Sequence, residues 1–453
     1  MTSIASRRAA LTAGVTGVFA AALPASAQQA STPQPSGSAT GGLPMARPGA
    51  SGSPDTIRGF SRERLARIKG AMEREAERGS FPGCVTLIAR DGEIVHLEAY
   101  GHQDAARTRA MPLDAIFLQA SMTKPMTSAA AMMLVEEGRM KLGDPITNWM
   151  PELRELKVEQ RREGQAAEDV ALARPVTVQD LLRHTAGFIY ANSAPTPRLK
   201  ELYDQHNIEA REGPITGEEM IRRLGTIPLA HQPGTTFHYS ISTDVLGILL
   251  ERVSGQSLAT LFQERLTGPL GMKDTTWFVA PDKRSRLAEA PTTDPQTAPM
   301  WRSYRILEDE AGRSYFKGGA GLVSTAQDYF RFAQMIANGG VFEGRRYLAA
   351  PVVNYMLSNH TQGMAGSPTA STGPGYGFGL GFGIRLQDGL AVAPGSTGDA
   401  MWAGAWGTSF TIDRAEGLVA ILMAQGPTAR VQTRMLFKNV VYGAMVESKR
   451  MPA

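Results

Sequence analysis

Strand-like periods stand at the two ends of this chain, and a long helical block lies between them. Gly83 to Arg90 and Glu93 to Tyr100 are apolar-rich runs joined by Asp91-Gly92, a strong two-residue hairpin signal. The same period returns in Gly377 to Arg385, Leu390 to Ala393, Thr408 to Asp413 and Leu418 to Ala424. Strands so far apart, with helices between, predict one antiparallel sheet assembled from both termini and a mostly helical insertion. The expected class is α+β (α/β in the broad sense).

Between those ends the apolar spacing changes to three and four. Met126, Ala129, Ala130, Met133 and Leu134 predict a helix that ends near Gly138. Pro125 fits it only near the start, where a backbone N–H needs no helical partner. Thr177 to His184, Tyr239 to Val253, Leu258 to Leu266 and Ser324 to Ala337 read as further helices. One amphipathic helix, Ser61 to Arg78, precedes the hairpin, and another closes the chain from about Ala429 to Val446. The mixed polar stretch 190–217 reads as a surface excursion, and the Gly/Ser/Thr-rich stretch 361–375 as a loop. Both are expected to line the pocket.

Composition excludes several function classes. The 453 residues carry a formal charge of only +4, too diffuse for a nucleic-acid surface. The densest basic run, Arg58 to Arg78, alternates with Glu63, Glu73, Glu75 and Glu77 and reads as a solvated helix face. The single cysteine, Cys84, permits no intramolecular disulfide and sits in an apolar strand. Seven histidines form no His-Glu-x-x-His pattern, so neither a metal nor a cofactor is expected. The partner expected is a small molecule; the oligomeric state is left open.

Residues 1–27 differ from the rest. Ser6-Arg7-Arg8, a short alanine-rich run and Ala25-Ser26-Ala27 predict a Tat-type signal peptide cleaved near Ala27. The run is too interrupted for a membrane anchor, so a periplasmic or secreted protein is expected. Residues 28–57 are rich in Ser, Pro and Gly and read as a disordered spacer. The folded domain is expected over 58–450, its sheet part about 58–120 and 340–450 and its helical part about 121–339.

Ser121 falls at the mouth of the predicted helix, and Lys124 lies one turn on along the same face. A hydroxyl beside an amine there is a nucleophile with a base, and the helix N-terminus favours developing negative charge. Taken alone, Ser-x-x-Lys is a common pattern and a serine at a helix start is usually an N-cap. Two further stretches change that balance: Pro233-Gly234-Thr235-Thr236-Phe237-His238-Tyr239-Ser240-Ile241 and Trp402-Ala403-Gly404-Ala405-Trp406-Gly407-Thr408. With these the chain resembles serine hydrolases built like class C β-lactamases, and most closely the family VIII carboxylesterases. His184-Thr185-Ala186-Gly187, Pro269-Leu270-Gly271-Met272 and Gly318-Gly319-Ala320-Gly321 follow the family's order, so the likeness spans roughly residues 60–445.

The resemblance implies a β-lactamase/transpeptidase-like fold and an acyl-enzyme mechanism. It makes Ser121 the nucleophile and Lys124 with Tyr239 the acid–base pair, without deciding which of the two is the base. It places the oxyanion hole at the backbone N–H groups of Ser121 and Ala405. Trp402, Ala403, Gly404 and Ile241 become substrate-binding. Amide-cleaving members carry Lys-Thr-Gly where Trp402-Ala403-Gly404 stands, and Asn where Ile241 stands. Losing that lysine and that amide favours an uncharged, short-chain carboxylic ester. A β-lactam, a D-amino-acid peptide or a small amide is the alternative substrate, and an inactive binding protein of the same fold is a second alternative.

Overall fold

The Asp91-Gly92 turn holds both of its residues at positive φ, 53° and 84°, as a two-residue hairpin between right-twisted strands requires. It joins β1 (Gly83–Arg90) to β2 (Glu93–Gly101). The computed structural model describes residues 43–46, 55–161, 166–298, 307 and 315–451. Five C-terminal strands extend the hairpin: β3 (Tyr376–Phe378), β4 (Gly383–Arg385), β5 (Ala400–Ala403), β6 (Ser409–Asp413) and β7 (Leu418–Ala424). The order across the sheet is β3-β4-β5-β6-β7-β1-β2, antiparallel throughout. The last strand of this sheet, β7, therefore pairs with its first, β1, and the sheet is assembled from both ends as the sequence pattern implies.

Burial on both faces explains why β1 and β7 are rich in apolar residues. In β1 and β7, Cys84, Ile88, Leu418, Ala420 and Leu422 point to one face, into a core with Ile68, Met72, Phe437 and Val441. Those four come from α1 (Arg67–Glu77) and from the terminal helix Arg430–Ala444. Val85, Leu87, Val419, Ile421 and Met423 point to the other face, into the main core. That core holds α2 (Thr123–Glu136), α3 (Val178–Leu182), α4 (Ser242–Ser254), α5 (Ala326–Ala337) and the rest of the helical block. A sheet covered on both faces needs no polar alternate residues.

Several local expectations change. Gly377–Arg385 is two short strands, because a reversal centred on Gly381, at φ 91°, interrupts it. Leu390–Ala393 is turn, and the neighbouring strand is β5. The helix expected from Tyr239 starts at Ser242, leaving Tyr239 in the preceding turn. The 190–217 stretch carries a helix, Pro197–Gln205, and buries Leu199, Tyr203 and Ile208, so it is part of the core as well as surface. The predicted signal peptide lies outside the described residues, as does most of the predicted spacer. Of the spacer, Leu43–Ala46 lies along β2, with Ile94 N–H donating to Pro44 O and Ala46 N–H to Ile94 O.

One buried carboxylate ties the helical block to the region around Tyr239. Asp180 is fully buried and accepts from Thr177, Arg174 (2.6 and 2.9 Å), Arg183 (3.1 Å) and Thr185 (2.8 Å). It thereby fixes the turn 183–187, whose carbonyls at His184 and Thr185 accept from the N–H groups of His238 (2.9 Å) and Gly234 (2.8 Å). Burial alone would raise the Asp180 carboxyl, but its hydrogen bonds to Arg174, Thr177 and Thr185 outweigh that and hold it below the usual range. Asp180→Ala, which strands these donors, should cost about 3 kcal/mol in chemical denaturation at neutral pH. Because the folded value is depressed, the contribution is complete above the unfolded carboxyl value of about 3.9. The stability gap between wild type and variant should stay flat above about pH 5 and narrow only as the pH falls below about 4.

Candidate active site

The Ser121 hydroxyl is delivered by a tight transition from strand to helix. Phe117–Leu118 is a two-residue strand, Ala120 takes φ 44°, and one 3₁₀ turn over Ala120–Met122 leads into α2. An alanine in the left-handed region is strained, and here it sits directly before the candidate nucleophile. The predicted inward face of α2 is buried as expected, but so is every other residue from Thr123 to Leu134. Two of the polar groups on the remaining faces are paired: Thr127 Oγ1 donates to Gly318 O at 2.7 Å, and Leu322 N–H donates to Thr123 Oγ1 at 3.1 Å. A helix so encased leaves the Lys124 side chain no freedom to swing away.

Lys124 Nζ donates to three oxygens: Ser121 Oγ at 3.2 Å, Tyr190 Oη at 3.1 Å and Gly319 O at 2.7 Å. Three oxygens match the three donors of an ammonium. The Tyr239 hydroxyl donates to Ser121 Oγ at 2.7 Å. The structure thus brings Ser121, Lys124 and Tyr239 together although Tyr239 lies 118 residues from the serine. Sequence reasoning missed Tyr190, which lies in a stretch without periodicity, and Asp244. Asp244 is buried, which raises its carboxyl above the ordinary value. Its Oδ1 accepts from Gly319 N–H at 3.0 Å, while the carbonyl of Gly319 holds Lys124. A Cβ at Gly319 would collide with this carboxyl group, so only glycine permits the arrangement.

Tyr239 is braced from three sides. His184 packs on it with ring centroids 4.7 Å apart, Trp402 at 5.4 Å and Tyr190 at 5.7 Å. Lys124 Nζ lies 4.8 Å from its ring centre. His184 accepts the Ser240 N–H at Nδ1, 3.3 Å away, and so ties its ring to the turn that carries Tyr239. Burial, with Lys124 and His238 nearby, holds its imidazole well below the ordinary value.

The end of β5 forms the opposite edge. A Cβ at Gly404 would strike the Gln119 carbonyl oxygen, so glycine lets this edge close onto the chain just before Ser121. Gly404 N–H donates to Thr408 O at 2.8 Å, and no described residue accepts from the next N–H, that of Ala405. Trp402, Ala403, Gly404 and Ile241 all border the cleft, whereas Trp406 is packed in a separate core cluster. The cleft has a volume of about 780 Å³, and its upper walls come from the stretches around Asn192 and Ser371. Both belong to the loops expected to line it. A smaller space of about 30 Å³ beneath the terminal helix holds Arg385 and Lys438, both paired with Asp399.

Comparison with known proteins identifies the family and the fold. Residues 66–440 match the β-lactamase family. The esterase EstB of Burkholderia gladioli is 30% identical, the alignment covering 79% of this chain and 89% of that protein. Protein Rv1367c of Mycobacterium tuberculosis is 31% identical over the same shares. Among solved structures, EstCE1, a hydrolase with promiscuous acyltransferase activity, superposes with a TM-score of 0.71 at 25% identity, covering 84% of this chain and 99% of its own. The simvastatin synthase LovD of Aspergillus terreus, at 21% identity and a TM-score of 0.68, shares the fold over 84% of this chain and 98% of its own. With the match spanning most of its length, the chain belongs to the β-lactamase family of serine-hydrolase-like proteins, and it has esterases among its relatives.

Proposed function

We propose that this protein is a serine esterase that moves the acyl group of a carboxylic ester onto Ser121 Oγ and then to water. The observation that carries the reading is the single hydroxyl of Ser121 held by both Lys124 Nζ and Tyr239 Oη at the floor of a cleft. As drawn, both groups donate to Ser121. Attack requires one of these bonds to reverse, so that Ser121 O–H donates to a deprotonated Lys124 or Tyr239. The serine oxygen then bonds to the carbonyl carbon while its proton passes to that base. The new oxyanion meets the N–H groups of Ser121 and Ala405. The carbon–alkoxy bond breaks, the alcohol leaves with the proton returned through Tyr239, and water repeats the sequence to release the acid and restore the serine.

Trp402 and Ile241 support a short, uncharged acyl group, since the floor of the cleft carries indole and alkyl surface where a cation and an amide would recognise a charged amide substrate. The family match keeps β-lactam or D-amino-acid amide cleavage as the second reading. We also propose, on Ser6-Arg7-Arg8 and the Ala25-Ser26-Ala27 site, that the chain acts outside the cytoplasm.

Ser121→Ala should lower kcat on p-nitrophenyl butyrate by at least about a thousandfold, and Tyr239→Phe and Lys124→Met by about a hundredfold or more. Retention of near wild-type turnover by any of the three would remove its assigned role. Measured side by side, kcat/KM for that ester should exceed that for a chromogenic cephalosporin, and the reverse ranking would favour the amide reading. Arg7→Lys with Arg8→Lys should hold the protein in the cytoplasm on cell fractionation, whereas unchanged export would contradict the twin-arginine route.

A further inference from the structure

A second hydroxyl–imidazole chain runs along the wall of the same cleft. Ser193 Oγ lies 3.2 Å from His238 Nε2, and His238 Nδ1 lies 3.0 Å from His231 Nε2. Ser193 and His238 border the cleft, and His231 stands behind them, half-buried. His238 directly precedes Tyr239, and the Ser193 hydroxyl also reaches the carbonyl of Tyr190 at 3.3 Å. The chain therefore begins beside the two phenols that flank Ser121 and Lys124.

Two nitrogens 3.0 Å apart must share one proton between them. That leaves two settings of opposite polarity. In one, His238 Nδ1–H donates to His231 and the bare Nε2 of His238 accepts from a hydroxyl. In the other, His231 Nε2–H donates to His238, and Nε2–H of His238 donates to a hydroxyl oxygen. Burial lowers both imidazoles, His231 to about 4 and His238 in the same direction, so the pair is neutral at physiological pH. A neutral group that can either donate or accept suits a ligand that does both, which is an alcohol hydroxyl. An isolated anion or cation would find half of this capacity useless.

We propose that Ser193, His238 and His231 bind a free hydroxyl on the alcohol half of the ester, and that the substrates are esters of polyhydroxylated alcohols such as glycerol or a sugar. The inference rests on the ester-hydrolase reading, in which the alcohol departs past Tyr239. A hydroxyl on a carbon near the ester oxygen would fall on the wall that His238 and Ser193 form beside that phenol. The cleft, about 780 Å³, has room for such an alcohol beyond a short acyl group. Neither histidine has any other role in the proposed reaction.

The test compares glyceryl monobutyrate with n-propyl butyrate, which has the same acyl group and carbon chain but lacks the free hydroxyls. Wild type should favour the glyceryl ester in kcat/KM by about tenfold, the scale of one or two well-placed hydrogen bonds. Ser193→Ala and His238→Phe should each collapse that ratio towards one. A wild-type ratio near one, or a ratio that both variants leave intact, would overturn the proposal while ester hydrolysis itself stood. Failure of wild type to turn over either ester, or p-nitrophenyl butyrate, would instead overturn the hydrolase reading on which it rests.

Discussion

The site depends on one amine with nowhere else to go. Lys124 emerges from a helix buried on every side, and its nitrogen meets three oxygens that the fold brings from separate places. Each of them is held by something further out: Tyr190 by the core around Tyr239, Gly319 by Asp244, Ser121 by the strained turn at Ala120. A lysine in open solvent would spread over many rotamers and lose about 2 kcal/mol of side-chain entropy on settling into one. Here packing meets that cost during folding, so the amine is already in position when a substrate arrives.

Much of this was legible in the sequence, for identifiable reasons. The sheet could be read because β1 and β7 are buried on both faces and are rich in apolar residues, and because Asp91-Gly92 allows essentially one kind of turn. The Ser121–Lys124 pair could be read because a helix places residues three apart side by side. Tyr239 carried no local signal; its convergence on Ser121 comes from a chain of tertiary contacts through Asp180, Thr185 and His184 that no spacing encodes. Tyr190 and Asp244 were missed for the same reason. The strand expected at Leu390–Ala393 failed because four apolar residues are too few to tell a strand from an exposed turn; Leu390 and Val392 are largely exposed.

The same scaffold supports different substrates because the groups around the nucleophile lie on separable elements. The trio is fixed by α2 and the turn before α4, whereas the cleft's far walls come from the stretches around Asn192 and Ser371. Trp402 and Ile241 set the character of the floor, and the loop residues around Asn192 and Ser371 set what lies above it.

The claim that everything else rests on is a covalent one, and it can be observed directly. Brief exposure to a slowly released ester, acid quenching and peptide mass spectrometry should find one acyl increment on the peptide carrying Ser121. The adduct should accumulate further when deacylation is slowed. An adduct on any other residue, or none at all while the ester is steadily consumed, would contradict the account.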